Sequence, residues 1–462
     1  MKTILIKFDN SFFVRNFLRT DAFRILSASP DIRMVFLAPQ EKCSYYQKEF
    51  SSPNAVFDVL PESRFYAAER FFRFVETSSI HTHTATLVSR TDFVRAKGQK
   101  SLLKRLCIYG MRRVLWRCGQ FKFFRACIRG AYTLLPSRTF AEHIKRYQPD
   151  LVFCPSMLYT DARLLKEAKK QNIPTLGMVA TWDNLYSKTL FRSHPDWLIA
   201  HTEHTRDQAV RYGDYPYDRI FISGVPQYDQ YFRQEGIIER DVFIKHLGGD
   251  PAKKLIVYAG SGKVGHDIDF GIIEMVRDAA VNGEIIQPIE ILMRPHPRYD
   301  YSQEKIERIR ATYGCLLTPI MSHVGGGKDS WEFDAQSMSL LINTLAHADV
   351  VIALYTTFFI EAALFNKPII AVAFDRKPVS YWDSAKRFFE WDHLRELDTE
   401  GGIWKVRSRD EMIKAINMYI EHPSHLEEGR RRIVHRQSQY TDGRSGQRLA
   451  DIILRVLSFS QK

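Results

Sequence analysis

Short apolar runs alternate with helical periods along most of the chain, and this rhythm constrains the fold more than any other feature. The runs are continuous and rich in β-branched residues, which is typical of parallel strands covered on both faces. Between them lie amphipathic stretches such as TDARLLKEAKKQN (160–172) and EHTRDQAVRYG (203–213). The strand candidates are TILIKF (3–8), RMVFLAP (33–39), DLVFCPS (150–156), PTLGMVA (174–180), DWLIAHT (196–202), RIFISG (219–224), KLIVYAG (254–260), IEILMRP (289–295), ADVVIAL (348–354) and PIIAVAF (368–374). The pattern predicts an α/β protein.

The runs fall into two blocks, which predict two Rossmann-like, doubly wound domains. We place the first at residues 1–223 and the second at residues 224–445, because GVPQYDQYF (224–232) punctuates the join with Gly and Pro. Residues 446–462 contain an amphipathic helix, which we expect to pack back across the join. Two such domains predict a cleft, and ligands of these sheets bind beyond the carboxyl ends of the strands.

Composition and charge limit the binding partners and the cellular location that we expect. The chain has 462 residues and a formal net charge of +13, which favours an anionic partner: a phosphorylated substrate, nucleic acid or an acidic membrane surface. The six cysteines form no C-x-x-C pair, which suits a reduced cytosol. The N-terminal apolar run is too short for a signal peptide, and no run has membrane-spanning length. We therefore predict a cytoplasmic protein, soluble or peripheral on the inner face of the membrane.

Residues 93–141 break the rhythm, because they contain no Asp or Glu. Basic and aromatic residues interleave there, and as a helix they would form a basic face with Leu and Trp opposite. This predicts a basic helical insert whose residues 97–129 contact an anionic membrane surface or a lipid phosphate. The alternative is a solvated basic helix in the helical layer of the first domain. Nucleic acid is not predicted, because no known binding module accompanies the charge.

The segment MRPHPR (293–298) directly follows a predicted strand, so His296 lies at a carboxyl end, where ligands bind. The prolines on both sides restrict its backbone. Arg294 and Arg298 add positive charge suited to phosphate. We predict that these three residues contact the phosphates of a nucleotide; a structural histidine is the alternative.

Another polar segment, Tyr-Thr-Thr, ends the run ADVVIAL, and a helix is predicted to begin at Thr356 or Thr357. A helix start offers free N–H groups to a phosphate. Glu361 falls four residues after Thr357, on the same helical face, where it could reach a ribose. The alternative is a plain N-cap, with Glu361 paired to a lysine.

The loop VYAGSGKVGHD (257–267) contains a Gly-Lys pair but is not a Walker A motif. Val257 and Val264 stand where that motif needs Gly and Ser or Thr. Gly260, Ser261 and Gly262 still allow close backbone approach to a phosphate, so they are predicted to belong to a phosphate-binding loop. The formal D-x-D at 267–269 lies in the wrong domain for a metal motif, and no metal is predicted.

Carboxylates also follow strands of the first domain, where they would face the predicted cleft and could act as a general base toward a hydroxyl group. Asp183, in TWDNLYSK (181–188) after a predicted strand, is the first candidate, with an Asx turn as the alternative. Asp9, after the first strand, is the second candidate. The pairs His81/His83 and His201/His204 lack a carboxylate or Cys at ligand spacing, so we interpret them as surface or loop histidines.

These motifs together resemble a known group. Strand-HP followed by strand-T-T-x-x-x-E-A-x-x-x-x-K-P resembles the C-terminal domain of GT-B fold glycosyltransferases. The relatives are CDP-glycerol glycerophosphotransferases, bacterial sialyl- and Kdo-type transferases and UDP-N-acetylglucosamine 2-epimerases. QYTDGRSGQRLADIIL and GVPQYD are similar to the tail and the domain join of the glycerophosphotransferases. The resemblance spans about residues 175–455. It implies phosphate contacts by His296, Thr356 and Thr357 and a ribose contact by Glu361. Sialyltransferases usually carry an acidic pair followed by Gly in the first domain, and residues 1–223 of this sequence contain no such motif.

The sequence thus predicts a GT-B glycosyltransferase that moves a sugar from a CMP-, CDP- or UDP-linked donor to a surface-polysaccharide or lipid-linked glycan acceptor. We expect inversion, with Asp183 as the base, and no cofactor or metal. A CDP-glycerol glycerophosphotransferase, a nucleotide-sugar epimerase and a non-catalytic polysaccharide-assembly protein remain alternatives. Capsule or lipopolysaccharide assembly is the expected setting.

Overall fold

The structure, a computed structural model, describes residues 1–8, 11–61, 66–158, 160–261, 266–296, 303–319, 324 and 331–459. The chain divides into two compact units. The first comprises Met1–Asp229 and Ser438–Lys462, and most of the chain between them forms the second. This division places residues 224–229 and 438–445 in the first unit, whereas the sequence analysis assigned them to the second domain.

The first unit is built on a parallel sheet in the order β3-β2-β1-β4-β5-β6-β7. Its strands are β1 (Lys2–Lys7), β2 (Ile32–Ala38), β3 (Ala55–Val59), β4 (Leu151–Cys154), β5 (Thr175–Met178), β6 (Trp197–Ala200) and β7 (Ile220–Ile222). Its helices include α1 (Ser11–Phe13), α2 (Asp21–Ser27), α3 (Gln40–Glu49), α4 (Ala67–Ser78), α5 (His83–Arg95), α6 (Leu102–Cys118), α7 (Lys122–Leu134), α8 (Ala141–Tyr147), α9 (Asp161–Lys170), α10 (Asn184–Ser187) and α11 (Glu203–Gly213). The chain order reverses between β1 and β4, which makes that point the switch point of the sheet.

Both faces of this sheet are buried, which explains why its strands are continuous apolar runs. Ile4 and Ile6 of β1 pack into one core with Phe36, whereas Leu5 packs into the core on the other face with Val35. Successive side chains of a strand point to opposite faces, so every position needs an apolar residue.

The second unit contains a parallel sheet in the order β10-β9-β8-β11-β12-β13. Its strands are β8 (Lys254–Ala259), β9 (Ile289–Arg294), β10 (Leu316–Leu317), β11 (Val350–Ala353), β12 (Ile369–Val372) and β13 (Trp404–Val406). The helices that follow the first unit along the chain include α12 (Asp229–Phe232), α13 (Arg240–His246), α14 (His266–Val281), α15 (Gln303–Tyr313), α16 (Ala335–His347), α17 (Phe358–Leu364), α18 (Asp392–Thr399), α19 (Arg409–Glu421) and α20 (Glu427–Ser438). The switch point lies between β8 and β11.

All ten predicted strands correspond to observed ones, but β3, β10 and β13 were missed. β10 has two residues and β13 has three, too few to show a period. β3 is an edge strand with partly exposed positions, and it includes Asp58, which breaks the apolar run.

The last helix, α21 (Ser445–Phe459), completes the first unit. It packs against α2, and Leu449 and Ile453 are fully buried in the same core as Ile4. The Asp229 carboxylate caps the helix, because its two oxygens accept hydrogen bonds from the backbone N–H groups of Ser445 (2.9 Å) and the next residue (2.7 Å). The two family-like segments, 224–229 and 442–448, therefore meet at this cap.

The predicted basic insert forms α6 and α7, and several of its arginines point inward. Arg125 and Arg129 pair with the Asp214 carboxylate at 2.6 and 2.9 Å. Arg112 pairs with Asp92 of α5 at 2.7 Å, and Arg113 donates to a threonine hydroxyl of α5. These four arginines attach the helices to their neighbours, and the predicted contact of residues 97–129 with an anionic membrane surface stays a prediction.

No helix in the described ranges is both long enough and apolar enough to cross a membrane.

Candidate functional site

Three of the predicted donor segments meet at the switch point of the second sheet. β8 lies between β9 and β11, with Ala259 in register with Arg294 on one side and with Ala353 on the other. The residues that follow these strands, at 260–261, 295–296 and 354–356, therefore share one carboxyl edge. The Gly260 N–H donates to the Arg294 carbonyl at 2.9 Å, which joins the first two segments directly.

The lack of a side chain at Gly260 suits the closeness of this approach. A Cβ atom there would lie 3.2 Å from both the Arg294 carbonyl oxygen and the His296 nitrogen, closer than most real Cβ contacts. The next residue, Ser261, is half-buried. Gly262 lies outside the described residues, so its predicted role in the loop stays a prediction.

Asp269 braces this loop, a role that the sequence analysis did not assign. Its carboxylate accepts hydrogen bonds from the Tyr258 hydroxyl (2.7 Å) and the Ser261 N–H (3.0 Å). The side chain is almost fully buried, and this burial raises the pKa of Asp269 to about 6 despite the two hydrogen bonds. The sequence showed it only as the second Asp of a formal metal motif.

His296 and Arg294 stand at the end of β9 and are half-buried. The Arg294 guanidinium carbon lies 5.5 Å from the centre of the Phe358 ring at the start of α17, so this strand end reaches the Thr-Thr segment. Arg298 lies outside the described residues.

The Thr-Thr segment differs in detail from the prediction. The Phe358 N–H donates to the Thr356 hydroxyl at 3.2 Å, whereas the exposed Thr357 makes no capping hydrogen bond with its side chain. Glu361 is buried one turn into α17. Its predicted ribose contact stays a prediction, with the carboxylate buried rather than on the solvent side.

An aromatic stack beside this segment was missed by the sequence analysis. Tyr355, half-buried at the end of β11, stacks on the Phe388 ring with centroids 3.7 Å apart. The signal available in the sequence was an aromatic residue directly after a buried strand. The stacked rings therefore lie beside the carboxyl edge of the second sheet, next to the Thr-Thr segment.

The first unit has a polar cluster at its own switch point. Lys7, at the end of β1, pairs with the Asp161 carboxylate at 2.6 Å, and both side chains are fully buried. The second oxygen of Asp161 accepts a hydrogen bond from the Ser156 hydroxyl at 2.6 Å. The Lys42 ammonium donates to the Ser11 hydroxyl at 3.0 Å. Buried charges of this kind are costly unless paired, and here they lie where ligands bind to such sheets.

Asp183 lies at the neighbouring strand end, just before α10. Its carboxylate accepts from the Lys188 ammonium (2.8 Å) and the Thr181 hydroxyl (2.7 Å). The next residue, Asn184, is buried, and its amide donates to the Ser156 carbonyl, which ties this segment to the polar cluster. The other base candidate, Asp9, lies outside the described residues.

The predicted histidine pairs hold no metal-like cluster. His201 lies in the loop after β6, as one of the two interpretations has it, but it is buried, and its ring Nδ1 is hydrogen-bonded to the Gly224 carbonyl at 2.9 Å. His204 contacts the Gln208 amide. Within the ranges described above, no three His, Cys, Asp or Glu side chains are grouped so that they could hold a metal ion.

A comparison with protein families decides the family. The model for CDP-Glycerol:Poly(glycerophosphate) glycerophosphotransferase matches residues 177–455, which is more than half of the chain. The chain belongs to this glycerophosphotransferase family. The matched range includes Asp183, the whole second sheet and most of α21, whereas the Lys7–Asp161 cluster lies before it.

Solved structures show the fold of this glycerophosphotransferase-family protein. The putative UDP-N-acetylglucosamine 2-epimerase of Listeria monocytogenes is similar with a TM-score of 0.56 and 13% identity, covering 100% of this chain and 98% of that chain. MnaA of S. aureus, solved with UDP, is similar with a TM-score of 0.54 and 11% identity, covering 100% of this chain and 98% of that chain. The UDP-GlcNAc 2-epimerase of Neisseria meningitidis, bound to UDP-GlcNAc, is similar with a TM-score of 0.53 and 12% identity, covering 98% of this chain and 100% of that chain. At these identities the likeness shows the fold alone.

The predicted GT-B fold and the predicted resemblance are therefore confirmed. Among curated protein sequences, none matches the chain significantly.

Proposed function

We propose that the protein is a transferase that takes its donor, a nucleotide-activated small molecule, at the switch point of the second sheet. The observation that carries the proposal is the meeting of Gly260, Arg294, His296 and Thr356 at one carboxyl edge, inside the stretch matched by the family. Three groups at this edge suit a diphosphate. They are the backbone turn at Gly260, the guanidinium of Arg294 and the imidazole of His296.

The roles of the donor residues follow from this edge. Arg294, His296 and Arg298 would neutralise the charge that develops on the leaving nucleotide. The 260–262 loop and Thr356 and Thr357 would bind the phosphates, and Glu361 would bind the ribose. No metal enters this scheme, because positive side chains and backbone dipoles supply the charge.

Asp183 would act in the first unit as the base that removes the proton from an acceptor hydroxyl. Its ion pair with Lys188 fixes the position of the carboxylate. Asp9 is the second candidate for this role.

Two donors are candidates. CDP-glycerol is favoured by the family match: the acceptor oxygen attacks the glycerol-side phosphorus, the diphosphate P–O bond breaks and CMP leaves. A nucleotide sugar is the donor favoured by the sequence analysis: the oxygen attacks the anomeric carbon with inversion, and the C–O bond to the nucleotide breaks. The acceptor would be a surface polysaccharide or lipid-linked glycan. The setting would be capsule or lipopolysaccharide assembly at the inner face of the membrane.

The test is to incubate the protein with CDP-glycerol and with UDP-, GDP- and CMP-sugars, and to identify the nucleotide released. CMP from CDP-glycerol supports glycerophosphate transfer, and release from one of the sugar nucleotides supports glycosyl transfer. Absence of both release and binding for every donor would refute the transferase proposal.

His296→Ala tests the phosphate site separately by calorimetry with CMP and UDP. Loss of about tenfold or more in affinity is expected, because a charged hydrogen bond contributes roughly 1.5–3 kcal/mol. His422→Ala, at an exposed position beyond α19, is the matched control. Equal affinity of both variants would show that His296 does not contact the phosphates.

A further inference from the structure

The helices α5 and α6 of the first unit line two neighbouring cavities. The larger one has a volume of about 270 Å3 and the smaller one a volume of about 100 Å3. Ser89, Asp92 and Arg112 line both of them, so the two cavities adjoin along the helix pair. We call the two cavities together the α5–α6 groove.

The lining of the α5–α6 groove is basic. Its cationic side chains are Arg95, Lys100, Arg105, Arg112 and Arg113. Asp92 is the one acidic side chain among the described residues that line the groove, and it pairs with Arg112 at 2.7 Å. Five cations against one carboxylate favour an anionic ligand.

Hydroxyl groups are frequent in the smaller cavity. They belong to Thr77, Ser78, Thr86, Ser89 and Ser187. The Oγ atom of Ser89 is buried and has no hydrogen-bond partner among the residues that the structure describes. A buried hydroxyl in this state costs free energy, so a ligand that supplies the missing partner is favoured.

An indole and a guanidinium lie beside these hydroxyls. The guanidinium carbon of Arg113 lies 4.8 Å from the centre of the Trp116 ring, and Arg113 donates a hydrogen bond to the Thr86 hydroxyl at 3.3 Å. The Nε1 atom of Trp116 donates to the Thr82 carbonyl at 3.1 Å, which fixes the ring. An aromatic surface with polar groups held next to it suits a hydroxylated carbon chain, such as a sugar or a polyol.

The smaller cavity reaches the segment that carries the candidate base. Its lining includes Ser187, the last residue of α10, and Asp183 stands directly before that helix. The residue after Ser187 is Lys188, which pairs with the Asp183 carboxylate at 2.8 Å. A chain bound in the α5–α6 groove would therefore have one end near α10.

We propose that the α5–α6 groove binds the acceptor, an anionic chain that also carries hydroxyl groups, with its charged groups at the arginines and its terminal hydroxyl toward Asp183. A carbohydrate or polyol chain is favoured over single-stranded nucleic acid, which stacks its bases on successive aromatic side chains. In the larger cavity Phe93 and Tyr109 pack on each other instead, with ring centres 5.2 Å apart. That the chain is the acceptor rests on the proposed function, whereas its binding does not.

Calorimetry on the full-length protein with short oligomers tests the proposal. The probes are a glycerol phosphate tetramer, which carries phosphodiesters, and a galacturonic acid tetramer, which carries carboxylates. At least one tetramer should bind about tenfold or more tightly than its monomer, because only a chain contacts both cavities. Binding of the first alone would assign phosphodiesters to the groove, and binding of the second alone would assign carboxylates. Binding of neither would overturn the proposal.

Inorganic tetraphosphate separates recognition of the hydroxylated chain from attraction by charge. It is anionic but has no carbon chain and no alcohol groups, so it should bind at least about fivefold more weakly than the preferred tetramer. Equal binding would show that the site responds to charge alone and would contradict the proposal.

Two arginine variants locate the binding site. Arg105→Gln in the larger cavity and Arg113→Gln in the smaller one should each weaken binding of the preferred tetramer about tenfold, because each removes a charged hydrogen-bond donor. Arg117→Gln is the matched control, at an exposed arginine of α6 outside the lining of both cavities. If both test variants bind the tetramer as the control does, the α5–α6 groove is not the site.

The Ser89→Ala variant distinguishes a ligand contact from a structural role. It should weaken tetramer binding about fivefold while the free energy of unfolding stays equal or rises, because the hydroxyl that it removes has no partner among the described residues. Lower stability with unchanged tetramer binding would show a structural role and contradict the assignment.

The donor site is kept separate by competition. Saturating CMP should leave tetramer binding unchanged, and full displacement by CMP would place the tetramer at the proposed donor site and overturn the proposal. Tetramer binding is measured without a donor, and nucleotide release is measured without a tetramer. If no donor binds or releases its nucleotide while the groove variants still weaken tetramer binding, the transferase proposal fails and the chain-binding groove stands.

Discussion

The replacement Asp269→Asn should remove a pH dependence of stability that arises beside the turn at residues 260–261. Burial raises the pKa of Asp269 to about 6 from the ordinary value of 3.8. Between these values the folded protein holds a proton that the unfolded chain has released, so stability falls as the pH rises from about 4 to about 6. The difference of about two units corresponds to about 3 kcal/mol, which is fully lost above pH 6. The variant cannot ionise and should lack this slope.

The measurement is the free energy of unfolding of the second unit in denaturant at pH values from 4 to 7, for both proteins. Carboxyl groups with a lowered pKa lose their stabilising effect at more acid pH, so subtracting the two profiles isolates Asp269. Tyr258→Phe is the control: it keeps the carboxyl but removes a hydrogen bond that favours ionisation, so its slope should extend to higher pH. Parallel profiles for wild type and Asp269→Asn would refute the reasoning.

The remaining predictions concern the helices and the base. Gly119→Ala should destabilise the protein by about 1–3 kcal/mol in denaturant, because the new Cβ would lie 1.9 Å from a backbone oxygen; Gly110→Ala, with nothing within 4 Å, should be neutral or stabilising. Equal stability of the two variants would contradict the packing. Asp214→Asn should cost about 3 kcal/mol by removing the carboxylate that pairs with Arg125 and Arg129, which keep backbone carbonyl acceptors. Asp92→Asn, in a more exposed pair, should cost under about 1 kcal/mol in the same assay. Asp183→Asn should lower kcat about 100-fold or more with the donor KM unchanged, and normal kcat would exclude it as the base.

The sheets were predictable from the sequence because every buried parallel strand has to be apolar throughout. The helix predicted at residues 203–213 coincides with α11, since its cap Thr202 and its apolar period are both local signals. The meeting of the segments at 260–261, 295–296 and 354–356 was predictable for a related reason: residues that follow neighbouring parallel strands share one carboxyl edge. The sequence pattern of one segment was enough to predict a strand or helix wherever the residues of that segment alone determine its structure.

Contacts between distant segments were not predictable in this way. Lys7 and Asp161 lie 154 residues apart, and the sequence around either residue does not indicate the other as its partner. The role of Asp269 depends on a loop that folds back on it. The helical period of α6 predicted a basic and an apolar face but not which face would contact α5. In the structure Arg112 and Arg113 contact α5.

The cap at Asp229 has a consequence for the order of folding. α21 supplies part of the core that begins at β1, so the first unit joins the first and the last segments of the chain. During synthesis its sheet can assemble early, but an apolar groove stays open until the final helix leaves the ribosome. The second unit is complete in sequence before that moment. The domain made first is thus the one that finishes last, and removal of α21 should harm the first unit rather than the second.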